Sequence, residues 1–330
     1  MTFAETQYRN TIQRLAFVLL IFEGLFLLLG GVLAVIPLFT DGHGIAGDVI
    51  YDVLYGLLYA AIFIVPVFLF RPISKEKPIQ PMYLERKLPR ETPLYLFAGV
   101  AVITAAAYLN SYMVSVFDYS AFSEEVLWDQ GGTANHQLIL LFFTTAIVPA
   151  FAEEFLFRGL ILSNLLPYGR TTAVFASALL FGVMHQNIEQ LFYATVAGLV
   201  LGFVYVKTRS LWCCILLHFV NNFVSVLQSI LLERLPETTG AAVVSILQGT
   251  LFAVGLISAV LLLLHQRDRR RLVLERGCFE QELPADPECS VAEIPLSRRV
   301  RLFFSPAMIA FLAVCLVQML SLVLMAVLLY

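Results

Sequence analysis

The chain is cut into long apolar blocks, and the length of those blocks constrains it more than any other feature. Hydropathy and helix breakers together place nine of them, at about 13–38, 48–70, 94–116, 137–165, 171–187, 190–207, 210–232, 243–265 and 303–329. Each is on the order of 20 residues, the length a helix needs to cross the hydrocarbon core of a bilayer. Within that core every backbone N–H and C=O must be paired inside the segment or its bundle, which favours helices. Composition points the same way: 59% of the 330 residues are hydrophobic and only 14% are charged. A soluble domain carries about 25% charged residues. The expected fold is therefore all-α, a polytopic membrane helical bundle of about nine transmembrane helices.

Charge in the loops orients the bundle. Between the second and third blocks lie Arg71, Lys75, Lys77, Arg86, Lys87 and Arg90. Arg170 follows the fourth block, Lys207 and Arg209 follow the sixth, and "HQRDRRRLVLER" follows the eighth. The alternate loops "TDGHGIAGD" and "DYSAFSEEVLWDQGG" hold no Lys or Arg, and "ERLPETTG" holds one. Lys and Arg stay on the cytoplasmic side, so the expected protein is a multi-pass one of the cell membrane with its N-terminus inside. Nine spans then put the C-terminus outside. The first block is too long for a signal-peptide core and lacks a clear small-residue cleavage site, so it reads as a retained helix.

The expected organisation is N-terminal transmembrane helices over 1–116, a four-helix core over 137–232 and an eighth helix over 243–265. A polar cytoplasmic loop over 266–302 and a C-terminal transmembrane helix over 303–330 complete it. The five cysteines form no CxxC, so neither a zinc ribbon nor a disulfide framework is suggested. The bilayer is one expected partner; a nucleic acid is not.

Most positions within the spans are apolar, so the exceptions are informative. The fourth span contains "AEEFLFRG", with Glu153, Glu154 and Arg158; the fifth ends in "FGVMH", with His185; the seventh contains "HFVNN", with His218, Asn221 and Asn222. An ionisable group in a span is costly, tends to face the protein interior and is a functional candidate by default. Glu154 and Arg158 are four apart, so they share a helix face, acid first, in the favourable order for an ion pair. Glu153 is turned about 100° away and is not the natural partner of that arginine. His218 and Asn222 also share a face, as do Phe181 and His185, while Asn221 is expected to point elsewhere and bond a neighbouring helix. At 1.5 Å per residue, Glu153, His185 and His218 lie roughly 18, 21 and 12 Å from the cytoplasmic ends of their helices, close enough in depth to meet. Glu23, in the first span, is expected near the outer face or packed between helices.

"EEFLFR", "FGVMH" and "HFVNN" resemble the motifs EExxxR, FxxxH and HxxxN of the CAAX-protease and bacteriocin-processing family of intramembrane proteases. The resemblance covers about 150–225, and the ninth span and the loop before it lie outside it. It implies a glutamate-dependent endopeptidase similar to the CAAX prenyl endopeptidase. Carried over, Glu153 would be the base that takes a proton from water, and His185 would hold that water. His218 and Asn222 would donate to the oxyanion, and Glu154 with Arg158 would be a supporting pair that fixes the fourth helix. The chemistry suits these residue types: a carboxylate drawn out of bulk water is an effective base near neutral pH. Donors aimed at a developing oxyanion are worth about 3–4 kcal/mol each.

Two histidines and a glutamate also suffice for a catalytic zinc with an open position. However, HExxH is absent and the histidines come from different helices, so a metal-free mechanism is favoured and zinc remains the competing chemistry. From another class, carboxylate and histidine chains make proton relays in transporters, but the internal symmetry typical of such proteins is missing. An immunity or scaffold protein that keeps the site and works by binding is the third reading. The expected substrate is a short hydrophobic or membrane-associated peptide or protein, in a chain that looks bacterial.

Overall fold

The computed structural model describes residues 1–36, 44–74, 84, 88–117, 135–276 and 294–329. The segments 37–43, 75–83, 85–87, 118–134 and 277–293, which carry much of the loop charge, lie outside the described residues. Among the described residues every regular element is helical: α1 (Phe3–Val35), α2 (Ile45–Ser74), α3 (Thr92–Phe117), α4 (135–165), α5 (Arg170–Met184), α6 (Ile188–Thr208), α7 (Leu211–Arg234), α8 (Glu237–Arg276), α9 (Leu296–Phe303) and α10 (Pro306–Leu329). The protein is a polytopic membrane helical bundle.

Each of the nine expected spans falls on a helix, but not all are equal. Among the described residues seven helices are long and apolar enough to cross a membrane alone, and α9 with α10 forms a pair bent by 65° that would make an eighth. The fifth expected span, 171–187, is the 15-residue α5, which is shorter than a bilayer requires. The helix of the eighth span runs on to Arg276, well into the segment expected to be loop.

Local chemistry sets the helix ends. Thr2 and Glu5 make a capping box at the start of α1. Asn187 caps α6 through its side chain on Glu189 N, and Arg209 ends that helix in the left-handed region. Ser305 caps α10 by accepting from Met308 N at 3.3 Å, and Pro306 begins it where a missing N–H costs nothing.

The helix α4 is not uniform. It passes from α (Asn135–Leu141) to π (Phe142–Ile147), back to α (Val148–Glu154), then to π again (Phe155–Leu162). Pro149 contributes, because it has no N–H to offer the carbonyl of Thr145 four residues back. Such wide turns redirect side chains and often mark functional sites; here they flank the two glutamates.

Around α4 pack α2 on one side and α5, α6 and α7 on the others. The neighbour α1 lies on α2 and α10, and α3 bridges α6 and α8. Helices α5 and α6 approach closely through small residues, as in other membrane bundles: a Cβ on Gly198 would stand 2.9 Å from the Cα of Ala178. Side chains such as Leu28, Phe68 and Leu263 face outward at two-thirds exposure or more, which lipid tails accept without penalty. At one end of the bundle Arg298 of α9 bonds Glu5 at 3.0 Å and Arg299 bonds the carbonyl of Tyr168 at 2.5 Å. The N-terminus, the α4–α5 turn and the approach to α10 are thus gathered at one end, as expected for three segments on the same side.

Candidate active site

What compensates an arginine and two glutamates inside a helix surrounded by apolar neighbours? Arg158 and Glu154 are fully buried and Glu153 is 3% exposed. Arg158 Nη1 donates to Glu154 Oε1 at 2.8 Å, the i,i+4 pair expected from spacing. Its Nη2 donates to the carbonyl of Gly198 on α6 at 3.2 Å, and its guanidinium carbon sits 4.4 Å from the centre of the Phe181 ring. The arginine therefore ties α4 to both α5 and α6.

Glu154 has a second partner. His218 Nδ1 lies 2.9 Å from the same Oε1 that accepts Arg158. The other ring nitrogen, Nε2, faces Glu153 Oε2 at 4.0 Å. His218 thus stands between the two adjacent glutamates, anchored on one and presented to the other. Glu153 in turn accepts from the hydroxyl of Tyr59 on α2 at 2.6 Å through Oε1, while its buried Oε2 has no hydrogen-bond partner among the described residues.

His185 is the C-cap of α5, and its Nδ1 donates to the carbonyl of Phe181 at 2.8 Å. A neutral ring held this way offers Nε2 as an acceptor. Asn222 Nδ2 donates to the carbonyl of Thr145 at 3.0 Å, the acceptor that Pro149 cannot serve. An amide nitrogen has two protons, so one remains beyond that bond. Asn221 bonds Tyr193 Oη on α6 at 2.9 Å, the interhelical bond expected, and also reaches Asn222 Oδ1 at 3.1 Å. It does not point away from the site as its helical position suggested; it lines the same cavity.

That cavity, about 420 Å³, holds Glu153, His185, His218 and Asn222 in its wall together with Tyr59 and Tyr193. Glu154 and Arg158 lie behind it. The residues expected to meet in depth do converge, from α4, the end of α5 and α7.

Residues 135–224 match the family described as Type II CAAX prenyl endopeptidase Rce1-like. A 93-residue stretch is 32% identical to the protein named "Putative membrane peptidase YdiL" of Bacillus subtilis (strain 168), covering 27% of this chain and 37% of that protein. The likeness to that family of prenyl endopeptidases is therefore one of the helical core, α4 to α7. The matched stretch of the family takes in all three motifs, from α4 into α7. The match spans well under half the length of that relative. No solved structure matches the chain.

Two groups at the candidate site escaped the sequence reading. Tyr59 sits in α2, outside the matched residues, in a run of aromatic and aliphatic residues where a tyrosine looks like packing. Thr145 contributes a backbone carbonyl, which no residue type betrays. The only signal was Pro149, four positions later.

Cysteines 213 and 214 pack in the core, with Cys214 Sγ donating to the carbonyl of Leu201 at 3.4 Å. Glu23 packs between helices, 2% exposed.

Proposed function

We propose that this protein is an intramembrane endopeptidase that hydrolyses a peptide bond with water activated by Glu153. The observation that carries this reading is a cavity with Glu153, His185, His218 and Asn222 of three helices in its wall. Tyr59 holds Oε1 of Glu153, which leaves Oε2 to take the proton of a water. His185, with Nδ1 spent on Phe181, presents Nε2 to accept a hydrogen bond from the proton the water keeps. The water oxygen then keeps its lone pairs for the carbonyl carbon of the substrate, and as the C–N bond breaks the protonated Glu153 returns its proton to the leaving amine. The second amide proton of Asn222 serves the oxyanion that forms. So does Nε2 of His218, which donates when the ring is an imidazolium, its Nδ1 being held by Glu154. Glu154 and Arg158 support the site from behind. The substrate we infer is a short hydrophobic or membrane-associated peptide or protein, with the N-terminus of the enzyme cytoplasmic.

A zinc-dependent form of the same hydrolysis is the second reading. It has one observation in its favour: each histidine has Nδ1 on a carbonyl or carboxylate, the usual support of a metal-ligating imidazole. Among the described residues, however, no three His, Cys, Asp or Glu side chains stand close enough to hold an ion, so the residues as placed do not fit a metal.

The test is cleavage of a library of short hydrophobic peptides by the purified full chain, read by mass spectrometry. Glu153→Gln should bind peptide and lose turnover by at least about two orders of magnitude, the usual share of a general base. His218→Ala and Asn222→Ala should each lose about 100-fold. Near-normal turnover in Glu153→Gln would refute the mechanism. Loss with a chelator, restored by zinc, would move the site to the metal reading.

A further inference from the structure

The helix α5 has 15 residues, roughly 22 Å at 1.5 Å per residue, against about 30 Å of hydrocarbon. Its antiparallel neighbour α6 has 21. The turn that joins the two, residues 185–187, is non-helical backbone, and Gln186 and Asn187 in it are buried. Buried backbone of this kind needs partners from the protein around it. His185 sits in that turn.

The turn is tightly built. Gln186 has φ +55, in the left-handed region, and its N–H closes on the carbonyl of Val183 at 3.0 Å. Glycine or asparagine ordinarily takes such a position after a helix, because a longer side chain is strained there. Here Gln186 is 5% exposed, and its Nε2 donates to Glu23 Oε2 in the middle of α1 at 2.8 Å. The other oxygen of Glu23 accepts from Cys315 Sγ of α10 at 3.2 Å. Neither α1 nor α10 lies in the stretch that matches the family. A carboxylate within a span is costly to keep, and its one evident use here is to hold a side chain adjacent to His185.

We propose that Glu23, seated by Cys315 of the last helix, is a positioning residue for His185. By gripping the Gln186 side chain it keeps the turn in its left-handed form, and so fixes the C-cap from which the His185 ring faces the cavity. This gives α10 a purpose in the reaction chemistry as a cover and clamp for the turn. The proposal rests on the peptidase reading of the site.

Gln186→Ala and Gln186→Gly separate the tether from the turn. Alanine cuts the bond to Glu23 and is strained at positive φ, so kcat should fall at least tenfold with KM within about twofold. Glycine cuts the same bond but holds the left-handed form unaided, so kcat should stay within about threefold of the parent. Glu23→Ala should lower kcat as Gln186→Ala does. The exchanged pair Glu23→Gln with Gln186→Glu rebuilds the bond in reverse and should also return kcat to within about threefold of the parent. Wild-type kcat in Gln186→Ala or Glu23→Ala, equal losses in the alanine and glycine variants, or no recovery in the exchanged pair overturns the proposal. Hydrogen exchange of the peptide spanning 181–190 reads the tether without catalysis: it should speed up in Glu23→Ala while that of α7 stays unchanged. Should the parent protein cleave nothing, the peptidase reading fails; faster exchange would still uphold the clamp, and unaltered exchange would overturn it.

Discussion

His218 Nδ1 lies 2.9 Å from Glu154 Oε1, the oxygen that also receives Arg158. The supporting ion pair and the site are therefore one hydrogen-bonded unit. Glu154 neutralises the arginine and at the same time fixes which nitrogen of His218 faces Glu153. Breaking one contact should be felt at the other.

Arg158→Met leaves Glu154 a buried carboxylate with only the histidine beside it, and should cost about 3–5 kcal/mol of stability. The double change Glu154→Gln with Arg158→Met removes both charges and should recover much of that, read by thermal aggregation in detergent. A double variant no more stable than the single one would show that the pair is wrongly drawn. Turnover should follow a different order: Glu154→Gln keeps an oxygen for His218, whereas Glu154→Leu keeps none and should be at least tenfold slower.

Asn222 is expected to have two jobs, and they can be separated. Asn222→Ala strands the carbonyl of Thr145, at a cost of about 1–3 kcal/mol. Adding Pro149→Ala supplies a backbone N–H for that carbonyl and should restore the melting temperature. Turnover should stay low, because the oxyanion donor is still missing. Recovery of both would make Asn222 a structural residue only.

Tyr59→Phe removes the hydrogen bond to Glu153 Oε1 and almost nothing else in shape. Losing a bond to a charged acceptor is worth about 1.5–3 kcal/mol, so kcat should fall roughly tenfold or more with the fold intact by size-exclusion profile. An unchanged kcat would remove Tyr59 from the mechanism.

Topology is testable by labelling of single introduced cysteines. Residues placed in the 71–93 segment should be protected from an impermeant reagent in intact cells, and one placed after Tyr330 should react. The shortness of α5 does not alter this, because α5 and α6 begin and end on the same side whether or not α5 crosses fully. Labelling of the 71–93 segment from outside would reverse the orientation.

The sequence by itself determined the class of fold and the identity of the central residues. Block length and apolarity force helices in a bilayer, and helical spacing alone pairs Glu154 with Arg158, because both are local properties of one segment. Rare polar residues in spans are conspicuous for the same reason, so Glu153, His185, His218 and Asn222 stood out before any geometry. What the tertiary structure decided is everything that depends on contacts between helices distant in the chain. It put Tyr59 on Glu153, His218 on Glu154, and Asn222 on the carbonyl freed by Pro149. It also turned Asn221 into the cavity, cut α5 short, and set Glu23 against the residue after His185. None of these has a periodic signature. Each arises where a backbone carbonyl, a π turn or a second helix supplies a partner, and a single sequence carries no record of which helix faces which.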